Sequence, residues 1–297
     1  MKVFVTGGTG VVGTRAVPAL VAAGHEVTAV ARTLEKAELV RSMGATPVTV
    51  ELFDPDAVKR AVEGHDAVVH LATHIPPLSR SARMKEWATN ERLRTEGSAN
   101  LVDAALATGA TRYVQESICY PYLDQGATWI TEESPLEHVG VFEGAGHAEA
   151  SAARFTGTGG TGVVLRFGQF HGPGSAHVQA FNAMARKRIN PFVGPPEAYC
   201  SFIHADDAGS AVAAALAVPA GTYNVVDDEP LTRVEAGRAL AEAVGVKRLH
   251  LPSAVLRATV LRSAQPLMKS LRVSNAKLKA AGGWAPSRPS IRGSWAA

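Results

Sequence analysis

A glycine-spaced stretch near the amino terminus, Thr6-Gly7-Gly8-Thr9-Gly10-Val11-Val12-Gly13, limits what this chain can fold into more than any other feature. The β-rich run Lys2–Thr6 precedes it and a helical pattern, Val11–Ala23, follows it. Gly7 permits a tight turn with unusual backbone angles. Gly10 removes a side chain where phosphate oxygens must approach the backbone. Gly13 lets the helix pack close to a sheet. The helix start then offers free N–H groups and the positive end of its dipole to an anion. A glycine pattern alone is weak. Between a first strand and a first helix it specifies the pyrophosphate turn of a dinucleotide-binding β-α-β unit.

The rest of the first half repeats that alternation. Strands are expected at Glu26–Ala31, Thr46–Val50, Asp66–Leu71, Arg112–Gln115 and Gly162–Arg166. Helical patterns fall at Leu34–Met43, from Pro55 to Val62 and over Trp87–Thr108. Gly24 and Gly44 read as helix stops, and Asp54-Pro55 as an N-cap with proline in the first turn. Such an order implies right-handed crossovers and a parallel sheet, the α/β class of Rossmann-type doubly wound folds. Residues 1–172 read as the dinucleotide-binding core. Residues 173–297, where short elements alternate with Pro-rich loops such as Asn190–Pro196, read mainly as a smaller substrate lobe with segments returning to the core. Tyr223–Val226 is expected as a short strand there, and Thr232–Val244 as a helix opening on a threonine cap.

Composition removes several classes. With 30 basic and 27 acidic residues the net charge is only +3, and no basic cluster stands out, so nucleic acid is not an expected partner. No run is long and apolar enough to span a membrane. The chain starts directly on its first strand without a basic leader, and a cytoplasmic location is expected. Cys119 and Cys200 form no metal-ligand pattern, no metal is expected, and free buried thiols are the default.

The loop "VTGGTGVVG" resembles that of the short-chain dehydrogenase/reductase superfamily, in its extended, epimerase/dehydratase-like branch. Further segments carry the resemblance along nearly the whole chain: "HLAT" (His70–Thr73), "EGSANLVDAALATGATRYVQES" (Glu96–Ser117), "LRFGQFHGPG" (Leu165–Gly174), "FIHADDAGSAVAAAL" (Phe202–Leu216) and "SNAKLKAAGGWAP". The resemblance implies cofactor contacts at Gly7, Gly10, Val11, Val12 and Gly13, at Leu71, Ala72 and Thr73, and at Phe167 and Gly168. Glu51 and Leu52 stand where the family's Asp-Leu pair flanks the adenine.

Cofactor choice rests on the residue after the second strand. An acid there holds ribose hydroxyls and repels a 2′-phosphate, whereas an arginine pairs with it. Here the strand ends in Ala31-Arg32-Thr33. NADP is therefore the expected cofactor, NAD the second choice, with Arg32 as phosphate ligand and Lys36 and Arg15 as helpers.

The resemblance breaks at the chemistry. The family's tyrosine exchanges a proton with substrate oxygen, its lysine lowers the tyrosine pKa and binds the nicotinamide ribose, and its serine positions the substrate. Ser117 fits the serine position. Val141 stands where the tyrosine belongs and Ala145 where the lysine belongs, and no lysine occurs between Lys85 and Lys187. Tyr120, Tyr122, His74 and His147 are the candidate replacement acids. Three readings stay open: an oxidoreductase or epimerase-type enzyme with a non-standard proton donor; an isomerase, lyase or cyclase without net redox chemistry; or a non-catalytic NADP-binding regulator. The expected partner is a small-molecule carbonyl or hydroxyl substrate in a pocket lined by Phe170, His171, Phe192, Tyr199 and His204. The oligomeric state stays open; members of the family often form homodimers through two long helices, which here would be Trp87–Thr108 and Gly146–Thr156.

Overall fold

The computed structural model describes residues 1–77, 79–250 and 268–295. The first half runs β1 (Lys2–Thr6), α1 (Gly13–Ala22), β2 (Glu26–Val30), α2 (Leu34–Ser42), β3 (Thr46–Val48), α3 (Pro55–Val62) and β4 (Ala67–His70). Two helices, α4 (Ala88–Arg92) and α5 (Ser98–Thr108), are joined by a π turn at Leu93–Gly97 and lead into β5 (Arg112–Ile118). Then come β6 (Trp129–Ile130), α6 (Glu143–Gly157), β7 (Thr161–Phe167), β8 (Gln169–His171) and α7 (Ala176–Arg186). The remainder holds β9 (Tyr199–Cys200), β10 (Phe202–His204), α8 (Ala205–Ala214), β11 (Gly221–Val225), β12 (Leu231–Thr232), α9 (Arg233–Ala243), β13 (Arg272–Val273) and α10 (Ala276–Gly282).

Seven strands form one sheet in the order β3-β2-β1-β4-β5-β7-β11, and every pairing in it is parallel. The order reverses direction at β1, between β2 and β4. The crevice at such a reversal, outside the carboxyl ends of the strands, is where open α/β sheets bind ligands. The helix signals read from sequence are realised. Asp54 accepts from the N–H groups of Asp56 and Ala57, Thr232 and Glu235 form a reciprocal capping box, and Gly24 and Gly44 take positive φ angles.

Both faces of the sheet are buried, as a parallel sheet requires. On one face Val3, Val5, Val69 and Val114 pack with Val17 and Leu20 of α1 and with Ala208 and Val212 of α8. On the other, Phe4, Val68 and Tyr113 meet Val58 and Val62 of α3, Leu101 of α5 and Phe155 of α6. Each fully buried large side chain of this kind contributes about 1.5–3 kcal/mol. A separate core stands under the lobe, where Trp295 lies among the rings of Phe181, Phe192 and Phe202.

Two elements differ from the sequence reading. Tyr223 belongs to β11, which closes the main sheet beside β7 instead of standing in the lobe. Strand β5 extends past Gln115 to Ile118, so Ser117 lies inside the strand. Its polar residues read as strand end, yet each finds a buried partner: Gln115 with Tyr113, Glu116 with Arg94, Ser117 with Glu149.

Candidate functional site

The glycine turn is built as a cradle. Gly7 has φ +73°, and a Cβ there would come within 2.5 Å of the Leu71 and Ala72 backbone. At Gly13 a Cβ would collide with the carbonyl of Gly7 and the backbone of Gly8. At Gly10 it would meet only the Gly7 oxygen, at 3.3 Å, so this residue presents its open side to solvent. None of the described hydrogen bonds uses the N–H groups of Val11 and Val12 at the start of α1. Shape and unpaired donors together fit a pyrophosphate.

At the adenosine end, Arg32 is exposed just past β2 and forms no ion pair among the described residues. Thr33 behind it caps α2 by accepting from the Lys36 N–H. Glu51 is exposed and accepts from the Phe53 N–H, while Leu52 is buried in the core. Arg15 points elsewhere than expected: it pairs with Asp206 at 3.3 Å and donates to the Pro173 carbonyl, tying α1 to the loop after β8.

From the glycine turn a line of polar contacts runs along the carboxyl edge of the sheet. Thr6, the last residue of β1, donates to Nδ1 of His70 on β4 at 2.5 Å. The other ring nitrogen, Nε2, donates to the Leu93 carbonyl at 3.2 Å. This is the neutral tautomer, and burial lowers the His70 pKa to about 4. Leu93 opens the π turn, and the next residue, Arg94, is buried against Glu116 of β5. Leu71, Ala72 and Thr73 follow His70 directly, and the carboxyl end of β7, Phe167-Gly168, lies two strands further along the sheet.

The expected acids are spread apart. Ser117 is fully buried, and its hydroxyl donates to Glu149 of α6 at 2.6 Å. Glu149 is clamped by Arg166, whose Nη1 donates to the Tyr122 hydroxyl, which itself donates to Asn224. Burial pushes the Tyr122 phenol up, despite the nearby Arg166. His147 is exposed on α6, whose buried face is Gly144, Ala145, Ala148 and Ala152. His74 is exposed after β4, with its N–H on Asn90. Tyr120 stacks on Phe142, ring centroids 5.7 Å apart, beside the half-buried Val141, and burial raises its phenol as well. Ala145 is fully buried. In the lobe, His171, Phe192 and His204 are not pocket lining. They sit in or against the Trp295 core, where burial first, then the neighbouring His204, lowers His171 to about 3.

Three residues escaped the sequence reading. The ring of His138 lies over Gly146, where a Cβ would come within 3.0 Å of it, and its Nε2 is buried without a partner. Burial lowers its pKa. The other two are Arg94 and Glu116. Their signal was present: Arg94 continues the buried stripe Ser98, Leu101, Val102 and Ala105, and Glu116 interrupts a buried strand. A charge on a core stripe needs a partner.

Comparison with known proteins places this geometry. Residues 7–140 match a family model described as NAD(P)H-binding. A 3-diazoavenalumate denitrifying reductase from Streptomyces sp is 33% identical over 98% of this chain and 98% of its own length. An epimerase family protein from Bos taurus is 29% identical over 95% of the chain and 94% of its own. Among solved structures, UDP-glucose 4-epimerase of Thermus thermophilus in complex with NAD superposes with a TM-score of 0.77 at 25% identity, covering 99% of this chain and 96% of that one. The dTDP-glucose 4,6-dehydratase DesIV of Streptomyces venezuelae, with NAD bound, gives 0.78 at 20% identity, covering 97% and 92%.

Proposed function

The chain belongs to the extended, epimerase/dehydratase-like branch of the NAD(P)-binding short-chain dehydrogenase/reductase superfamily, and we propose that within it the protein is an NADP(H)-dependent reductase whose hydride transfer does not rely on a tyrosine–lysine dyad. The observation that carries this is a contrast between the two ends of one cleft. The glycine turn leaves room and N–H donors for a pyrophosphate, and Arg32, exposed past β2, has no ion pair among the described residues. At the other end Val141 and Ala145 can neither donate nor accept a proton.

When bound, the cofactor supplies a hydride. The chain's own residues do the rest. Gly7, Gly10 and Gly13 shape the turn, the Val11 and Val12 N–H groups receive the pyrophosphate, and Arg32 takes the 2′-phosphate. Tyr120, stacked on the buried Phe142 beside Val141, is assigned to the substrate side of the cleft. Both buried phenols, Tyr120 and Tyr122, are held above their usual range, so neither is activated for proton transfer near neutrality.

Such a site suits an electrophile that accepts hydride without receiving a proton on oxygen. The full-length relative is named a denitrifying reductase of a diazo compound. We extend that substrate class, aromatic diazo compounds, to this chain. In the diazonium form the hydride makes a C–H bond at the ring carbon. The C–N bond breaks, its electron pair leaves with N2, and charge balances without a proton donor. A second reading, carbonyl reduction, draws on His138, whose ring lies against Gly146 of α6 and whose Nε2 is buried without a partner.

The test follows NADPH oxidation with an aromatic diazonium salt and with aromatic ketones and aldehydes. The proposal expects turnover with the diazonium salt above that of heat-denatured protein, and little with the carbonyls. Turnover confined to carbonyls would favour the His138 reading. Tight NADPH binding without turnover on either would favour a regulator.

A further inference from the structure

Among the described residues two buried arginine–glutamate pairs stand at the carboxyl end of the sheet, and they differ in one respect. In the pair Arg166–Glu149 the bonding capacity is largely used. Glu149 receives Arg166 through Nε and Nη2 and also Ser117, while Nη1 of Arg166 serves Tyr122. In the pair Arg94–Glu116 one nitrogen does all the work. Nη2 of Arg94 reaches Oε1 at 2.8 Å and Oε2 at 2.9 Å, and Nε is buried with no partner. The side chains are 2% and 8% exposed. A buried ion pair repays its desolvation only when the remaining donors and lone pairs are also satisfied. This one is not, on the chain's own atoms.

Its place says what could complete it. Thr6 abuts the glycine turn, and the contacts Thr6–His70–Leu93 lead from there to Arg94. Glu116 stands on β5, two strand spacings from β1, about 10 Å from the pyrophosphate turn. Arg32, at the tip of β2, marks the adenosine end on the opposite side of that turn. Glu116 is therefore on the nicotinamide half of the cleft. The lysine that the family sets against the nicotinamide ribose is Ala145 here, so the ribose lacks its usual holder. Each Glu116 oxygen accepts a single bond, from the same Arg94 nitrogen, and a carboxylate oxygen can accept two, so the group keeps capacity for ribose hydroxyls. The π turn, a feature frequent at functional sites, opens the helix where Arg94 turns inward.

We propose that Glu116, held in place by Arg94, binds the nicotinamide-ribose hydroxyls of NADP(H) and so replaces the missing lysine as the anchor of the hydride-bearing half of the cofactor. The assignment rests on the NADP(H) reading given above.

The test is a titration of wild type and Glu116→Gln with three ligands: NADPH, 2′-phospho-ADP-ribose, which keeps the second ribose but lacks nicotinamide, and adenosine 2′-phosphate 5′-diphosphate, which lacks both. The expected result is about tenfold weaker binding of the first two and unchanged binding of the third. Unchanged binding of the third also shows that the variant is folded. If Glu116→Gln does not fold, Glu116→Asp is read the same way, since it keeps the charge opposite Arg94 and withdraws it by one methylene. Equal loss for all three ligands, no loss for any, or loss for NADPH alone would overturn the assignment. Failure of wild type to bind any of them would instead overturn the NADP(H) reading.

Discussion

The proposal that the cofactor is NADP(H) turns on Arg32 and its freedom. The residue sits past the end of β2 without an ion pair among the described residues, beside a capped helix that fixes its backbone. An arginine–phosphate contact is charge-assisted and worth about 1.5–3 kcal/mol, or roughly ten- to a hundredfold in affinity. Arg32→Ala is expected to weaken NADPH binding by that factor and to leave NADH binding nearly unchanged, as read by calorimetric titration of both. Equal losses for the two would remove Arg32 from the phosphate. At this scale the sequence was informative wherever a residue acts through its own neighbours in the chain. Gly7, Gly10, Gly13, Asp54 and Thr232 are of that kind. It was uninformative for residues that act through distant partners. Arg15 reaches Asp206 across the fold, and Arg94 reaches Glu116 from a helix to a strand. A local pattern can mark a charge on a core stripe, as at Arg94, but it does not name the partner.

His70 ties three elements together: the end of β1 through Thr6, β4 through its own backbone, and the π turn through Leu93. It does so as a neutral ring. Its folded pKa is lowered to about 4 from 6.5, chiefly by burial. The unfolded chain therefore binds the proton more tightly. The stabilisation is complete above pH 6.5 and is lost as pH falls through that value toward 4, where the loss reaches about 3 kcal/mol. Urea unfolding midpoints should fall across this window, and His70→Gln should reduce the fall by a similar amount. An unchanged slope in the variant would show that the ring does not carry it. Element identity was legible from periodicity and caps through the first half. The misjudged elements share a cause. Strand β5 ends in polar residues whose partners are tertiary, and β11 is a short strand whose neighbour β7 lies far away in sequence. The helical stretch Trp87–Thr108 was seen as one unit. Its π turn follows from contacts with β4 and β5 that periodicity does not encode.

Across the whole molecule, a parallel sheet with its order reversing at β1 lays the cofactor cleft along one edge, and the later segments close that edge. Helix α8 packs on α1 and its Asp206 pairs with Arg15, β11 extends the sheet, and Arg15 also donates to the Pro173 carbonyl of the loop after β8. The fold class was legible because a Rossmann sheet is written in local repeats. The chemistry was legible only as a gap, the Val141 and Ala145 positions, because the groups proposed in their stead stand on the π turn, β5 and the segment before α6, far apart in sequence. The central claim is that this cleft passes hydride from NADPH to an aromatic carbon that loses N2, without a tyrosine–lysine dyad. The most direct measurement is a single-turnover reaction of the protein with NADPH carrying two deuteriums at the nicotinamide C4 and an aromatic diazonium salt, in ordinary water, beside a heat-denatured control. The account predicts N2 release above the control and an arene product with one deuterium at the carbon that bore the diazo group. An arene with only solvent hydrogen at that carbon, or deuterium incorporation no faster than in the control, would contradict it.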